Sequence, residues 1–127
     1  MKIRTQQFGE IEFEEEKIIE FKDGVLGFEN LTKFLLLTEE NSIFFWLTSI
    51  EEPEIVFPLF PVSILMEEYP EKENFEAFGI VRLDKEIKNI TINLKGPVYI
   101  SQEQKRGYQK IIDSDKYVID YQLFVEN

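Results

Sequence analysis

The chain contains no histidine and no cysteine, and its 14 basic residues are outnumbered by 25 acidic ones. Without histidine there is no side chain whose unperturbed pKa lies near neutrality, and without cysteine there is no thiolate nucleophile, disulfide or thiolate metal ligand. Most acid–base and nucleophilic chemistry available at neutral pH is thereby removed, so the expectation is a protein that holds other molecules, with no catalytic residues and no cofactor. The formal net charge of −11 opposes direct binding to nucleic acid, whose affinity for proteins comes largely from Lys and Arg displacing counterions. A basic protein is the natural complement, although acidity also serves solubility alone. Long hydrophobic runs are absent too. The longest purely apolar stretch is the five residues Ile43 to Leu47, and Met1 to Gln7 lacks an apolar segment and a small-residue cleavage site. No membrane anchor and no export signal are predicted, and a cysteine-free chain suits the reducing cytoplasm.

What is present is core material. Of 127 residues, 43% are hydrophobic and 12 are Phe, enough for one core and too few for two, so residues 1–127 are expected to form a single domain. Ile11 and Phe13 alternate with Glu10, Glu12 and Glu14, which predicts a strand with one wet face. The same period recurs at Ile90 to Lys95 and at Tyr117 to Tyr121. Phe34 to Leu37 and Ile43 to Leu47 are denser and suit strands buried on both faces. The polar interval Thr38 to Ser42 between them has hairpin length, with Asn41 available for a positive φ. Turn signals at Phe8-Gly9, Lys22-Asp23-Gly24, Phe78-Gly79, Lys95-Gly96-Pro97 and Arg106-Gly107 come at short intervals, favouring a mostly β, antiparallel sandwich or barrel. One or two short helices are expected, at Glu29 to Phe34 and at Val62 to Tyr69 before Pro70. The charged, Pro-punctuated stretch Glu67 to Glu76 reads as an exposed connection.

Carboxylates adjoin at Glu14-Glu15-Glu16, Glu39-Glu40, Glu51-Glu52 and Glu67-Glu68. Neighbours on a strand face opposite ways, so such pairs are solvated faces more readily than acid–base machinery, and the loop pattern of a divalent-cation site is missing. A small β enzyme using Glu pairs with Tyr99 or Tyr108 is the alternative reading. Gly24-Val25-Leu26-Gly27 has G-x-x-G spacing but is flanked by Asp23 and Glu29, which fits a turn with special backbone angles better than a phosphate grip. Pro53, Pro58 and Pro61 surround Phe57 and Phe60. Because proline donates no ladder hydrogen bond, this segment is expected at a sheet edge or in a loop. Two readings of its aromatic residues stand: they point into the core, or they form an apolar docking surface rimmed by Glu51, Glu52 and Glu54.

Four pieces of the chain, taken in order, resemble the FliW family of bacterial flagellar assembly factors. They are Phe8-Gly9-Glu10-Ile11 with Ile18-Ile19-Glu20-Phe21; Gly24 to Glu29; Trp46-Leu47-Thr48-Ser49 running into Pro53 and Phe57; and Asn93 to Ile100 followed by Gly107-Tyr108-Gln109. The chain departs from the family pattern at Val25, Thr48, Glu52 and Gly96. The resemblance implies a monomeric, barrel-like (pseudo-barrel) antiparallel β fold without catalysis and with two protein partners. One is flagellin, held in the cytoplasm before export. The other is the carbon storage regulator CsrA, an RNA-binding repressor of flagellin translation, which is captured when flagellin leaves. By position, the resemblance places partner contacts at Pro53, Phe57, Asn93, Pro97 and Val98, with rim charge from Glu51 and Glu52. Asn93 and Pro97 alternatively serve only the local turn.

Overall fold

The computed structural model describes residues 1–125. Ten strands account for nearly all its regular structure: β1 (Lys2–Thr5), β2 (Gly9–Glu12), β3 (Ile19–Glu20), β4 (Lys33–Thr38), β5 (Phe45–Ser49), β6 (Val56–Pro61), β7 (Glu76–Arg82), β8 (Thr91–Ser101), β9 (Arg106–Gln109) and β10 (Tyr121–Gln122). A one-turn helix α1 (Val62–Leu65) and single turns of 3₁₀ helix at Glu15–Lys17 and Ile87–Asn89 complete it. Strands β8, β7, β6, β5, β4, β3 and β9 follow one another in the sheet, and β9 pairs back onto β8, closing a seven-stranded barrel. β10 adds to the outside of β8, and β1 and β2 form a separate hairpin. All pairings are antiparallel except β3 with β9, which meet in parallel through the single register pair Glu20 and Arg106.

Alternation along the strands assigns each apolar side chain to one side of this wall. Phe34 on β4 and Leu59 on β6 point inward with Phe21, Leu47, Phe78, Val98 and Ile100. Their neighbours Leu35 and Phe60 point outward. Leu35 is covered by Ile3 and Phe13 of the β1–β2 hairpin, and Phe60 by a second outer core built from α1, β7, β8 and the C-terminal segment, including Val62, Ile92, Leu94 and Tyr117. The wet face predicted for β2 is present: Glu10, Glu12 and Glu14 are exposed while Phe13 is buried. β4 and β5 pair as expected, and Asn41 in their connection has φ 67°.

Several expectations are corrected. β6 is a central strand despite Pro58 and Pro61. Its ladder to β5 covers Val56–Leu59 and its ladder to β7 covers Leu59–Pro61, so the two overlap only at Leu59. The carbonyl of Ile55 accepts the Ser49 amide, which sets residues 55, 57 and 59 toward β5 and turns Pro58 toward β7 just before that ladder begins. The missing N–H is therefore not called on by the β5 ladder, and the β7 ladder begins at the next residue. Phe78-Gly79, Lys95-Gly96-Pro97 and Arg106-Gly107 are strand residues, and each glycine is there for space or strand geometry. Leu94, Lys95, Gly96 and Pro97 together oppose the lone Gly79, a bulge that carries three extra residues. An odd insertion flips the strand, so Ile92 and Leu94 serve the outer core while Val98 and Ile100 fill the barrel. Glu29 to Phe34 is turn and strand with no helix, and α1 stops after one turn. Of Tyr117 to Tyr121 only Tyr121, the first residue of β10, is in a strand: Tyr117 is buried, but Ile119 is 65% exposed.

Gly107 shows how tight the barrel is. A Cβ there would stand 2.3 Å from Cζ and 2.4 Å from Cε1 of the fully buried Phe21 ring. Gly107→Ala is therefore expected to cost about 1–3 kcal/mol by overpacking, read as a lowered urea midpoint with unchanged slope. A loss under about 0.5 kcal/mol would show that the ring has room to retreat.

Candidate protein-docking surface

The segment leaving β5 is shaped by side chains returning to its own backbone. The Ser49 hydroxyl accepts the Glu52 amide at 3.0 Å, and the Ile55 amide donates to the Glu52 carbonyl at 2.8 Å, making a compact turn that lifts Glu52 and Glu54 into solvent. Glu51 behaves differently. Its carboxylate accepts the backbone amides of Thr32 at 3.1 Å and Lys33 at 3.0 Å, tying the turn to the start of β4, so this exposed charge also serves as a structural clamp. Pro53 is half-buried.

Phe57 follows on β6 and is half-buried. It meets Phe28 edge-on at 5.3 Å and Phe34 at 6.3 Å, with Ile55 and Phe28 likewise packed part-buried on the barrel core. Phe28 arrives through the Gly24-Val25-Leu26-Gly27 turn, whose glycines have φ 67° and 89°. At Gly24 a side chain would collide with the Phe28 carbonyl oxygen at 2.5 Å. Two sequence pieces some thirty positions apart thus form one aromatic ledge beside exposed carboxylates. Sequence reasoning singled out Phe57 and the glycine turn but not their contact; the common signal was an aromatic residue directly following a turn at Phe28. Phe60, considered with Phe57, is buried in the outer core.

Asn93 is half-buried at the β8 bulge, and its Oδ1 accepts the amides of Lys95 at 2.9 Å and Gly96 at 2.8 Å. The Gln109 side chain donates to the Gly96 carbonyl at 2.9 Å and accepts the Leu26 amide at 2.8 Å, linking the bulge through β9 to the glycine turn. Pro97 and Val98 lie within this same stretch but are buried, so their side chains support the wall and offer no surface. Of the residues named from sequence, the structure groups Glu51, Glu52 and Pro53 at one turn with Phe57 just beyond it on β6, and sets Asn93, Pro97 and Val98 together on β8.

A cleft of about 380 Å³ beside α1 is lined by Met66, Tyr69, Phe75 and Tyr99, with Glu67, Glu71, Glu73 and Glu76 also at its walls. Its tyrosines are committed to the fold. The Tyr69 hydroxyl donates to the Leu94 carbonyl and that of Tyr99 to the Pro70 carbonyl, the latter at 2.6 Å. Tyr108 stacks on Tyr99 at 5.2 Å. The adjoining carboxylates at 14–16, 39–40, 51–52 and 67–68 are all exposed. Among the described residues no group of three or more Asp and Glu side chains is placed to hold a metal ion, and no helix is long and apolar enough to cross a membrane.

The architecture is that of a small closed β-barrel with an outer hairpin, an acidic surface and an aromatic ledge at one strand end. The chain belongs to the FliW family, whose family model, described as FliW protein, matches residues 2–123. It is 36% identical to the flagellar assembly factor FliW of Caldicellulosiruptor saccharolyticus, covering 96% of this chain and 90% of that one. Identity to the protein of the same name from Caldanaerobacter subterraneus is 37%, covering 99% and 95%, and to that of Clostridium kluyveri 39%, covering 98% and 96%. The fold is similar to a crystal structure of the flagellar assembly factor FliW, with a TM-score of 0.90 at 26% identity over 100% of this chain and 99% of the other.

Two outcomes are expected. Asn93→Ala strands two backbone amides and should destabilise the protein by about 1–3 kcal/mol in urea unfolding, whereas exposed Glu54→Ala should change it by less than about 0.5 kcal/mol. Burial, reinforced by the neighbouring tyrosines, holds the hydroxyls of Tyr69 and Tyr99 above their ordinary pKa of 10.0. Their protons are lost first from the unfolded chain, so stability is unaffected by them below about pH 10 and falls as pH rises beyond it. Unfolding followed from about pH 9 to pH 12 should show that decline, and Tyr99→Phe should flatten it.

Proposed function

We propose that this chain is a cytoplasmic, monomeric, protein-binding regulator of flagellar assembly that binds flagellin and, when flagellin is exported, captures the translational repressor CsrA. Near-full-length membership of a family of flagellar assembly factors is the observation that carries this reading. The net charge supports it: CsrA must present basic surface to hold RNA, and a chain of charge −11 attracts such a surface while repelling the RNA itself. On this reading the regulation is linkage, with each partner's occupancy lowering the concentration of factor free for the other. The protein transforms no substrate.

The partner surface is placed at Glu52, Pro53 and Phe57, with Glu51 holding the turn that presents them. Asn93, Pro97 and Val98 act through the bulge they shape in β8. Phe57→Ala should weaken CsrA capture by about 1–3 kcal/mol in calorimetric titration, with a urea midpoint that falls less than for a fully buried Phe, since the ring packs on the core but stays part-exposed. Unchanged affinity with a large loss of stability would assign Phe57 to packing alone. The association rate with CsrA should fall as salt rises from about 0.05 to 0.5 M, and a salt-independent rate would remove the electrostatic part of the account.

A further inference from the structure

On a chain this acidic, the concave surface beside the β3–β9 seam is rich in cations. A cleft of about 520 Å³ is lined by Lys22, which follows β3, by Lys72 and Phe75 of the connection before β7, and by Arg106 and Tyr108 of β9, with Glu20 as its one carboxylate. Three cations against one anion leave a local excess of positive charge where the whole chain carries −11. Despite 25 acidic residues, the ion pairs within 4 Å among the described residues are Lys2–Glu10 and Lys88–Glu86, so Lys22, Lys72 and Arg106 are all unpaired.

The cations are also presented by constrained backbone. The Phe75 amide donates to the Lys72 carbonyl at 3.0 Å across a turn in which Asn74 has φ 69°. Arg106 follows Lys105, at φ 57°, whose carbonyl accepts the Glu20 amide at 3.0 Å. Between them the rings of Phe75 and Tyr108 meet edge-on at 5.5 Å and stay part-exposed, giving an apolar wall inside a cationic rim.

We propose that this cleft is a docking site for a short acidic segment of a protein partner, its carboxylates meeting Lys22, Lys72 and Arg106 and an apolar side chain resting on Phe75 and Tyr108. Charge complementarity selects the sign of the occupant, and the aromatic wall selects a peptide over a bare ion. A long polyanion such as RNA would meet the repulsive field of the rest of the surface, while a few residues need satisfy only the cleft, whose volume lies in the range of roughly 300–1,000 Å³ typical of small binding sites. None of its residues belongs to the Glu51–Phe57 turn, so the inference stands apart from the partners proposed above.

The test is a titration of the ¹⁵N-labelled full chain with acetyl-Glu-Phe-Glu-amide at low salt. Saturable shifts of the amide signals of Lys22, Lys72, Phe75, Arg106 and Tyr108 are expected, with a Kd on the order of millimolar. The exposed double change Lys22→Glu and Lys72→Glu should weaken binding about tenfold while the melting temperature is held; should that variant not fold, Lys72→Glu alone is expected to weaken it about threefold. Absence of saturation up to about 20 mM, equal response to acetyl-Lys-Phe-Lys-amide, or binding unaltered by charge reversal would each overturn the proposal. So would the same shifts produced equally by inorganic phosphate, which would mark an ion site, or tighter binding of a short RNA oligonucleotide.

Discussion

The structure depends on closing the barrel at one seam. β9 pairs with β8 along four register positions but with β3 through only one, so little of the closure comes from ladder hydrogen bonds on that side. Packing does it instead. Phe21, one residue past β3, is fully buried, presses its ring onto the space where Gly107 lacks a side chain, and meets Phe34 edge-on at 5.1 Å. Removing that wedge would open two strand edges to pairing with other chains, a hazard that a closed barrel avoids. Because β3 and β9 also carry Lys22, Arg106, Tyr108 and Gln109 on or beside them, the same seam sets the geometry of the basic cleft and of the link to the glycine turn.

Much of this was legible in the residues wherever one local rule acted alone. The Glu-Ile-Glu-Phe-Glu alternation, the Asn41 hairpin and the Gly24-x-x-Gly27 turn each report the backbone they sit on, and each is found as read. The misreadings share a cause: glycine and proline serve here for three-dimensional reasons that a linear rule takes for turns. Gly79 would place a Cβ 2.3 Å from Ile92, Gly107 faces Phe21, and Pro58 occupies the stagger between two ladders, a position that exists only because barrel strands are offset. The helix expected from Glu29 lost to β4, whose Phe34 and Leu35 bury opposite faces at once.

The candidate surface was legible in its residues and not in its assembly. Nothing local announces that Phe28 and Phe57 share a ledge, that the Glu51 carboxylate is spent on the amides of Thr32 and Lys33, or that Val98, after the bulge, faces inward. Net charge is an average, and it conceals its own exception. Lys22, Lys72 and Arg106 are scattered in sequence and line one cleft only in the fold, which gives a predominantly acidic molecule a local cationic surface.

If the chain works by exchanging protein partners, the decisive measurement is made on the competition itself: the protein is titrated into a preformed complex of CsrA with flagellin leader RNA, and bound RNA is followed with and without flagellin. The account predicts that the factor releases the RNA and that added flagellin restores the complex in proportion to its concentration. RNA that stays bound at saturating factor, or release that flagellin leaves untouched, would contradict it.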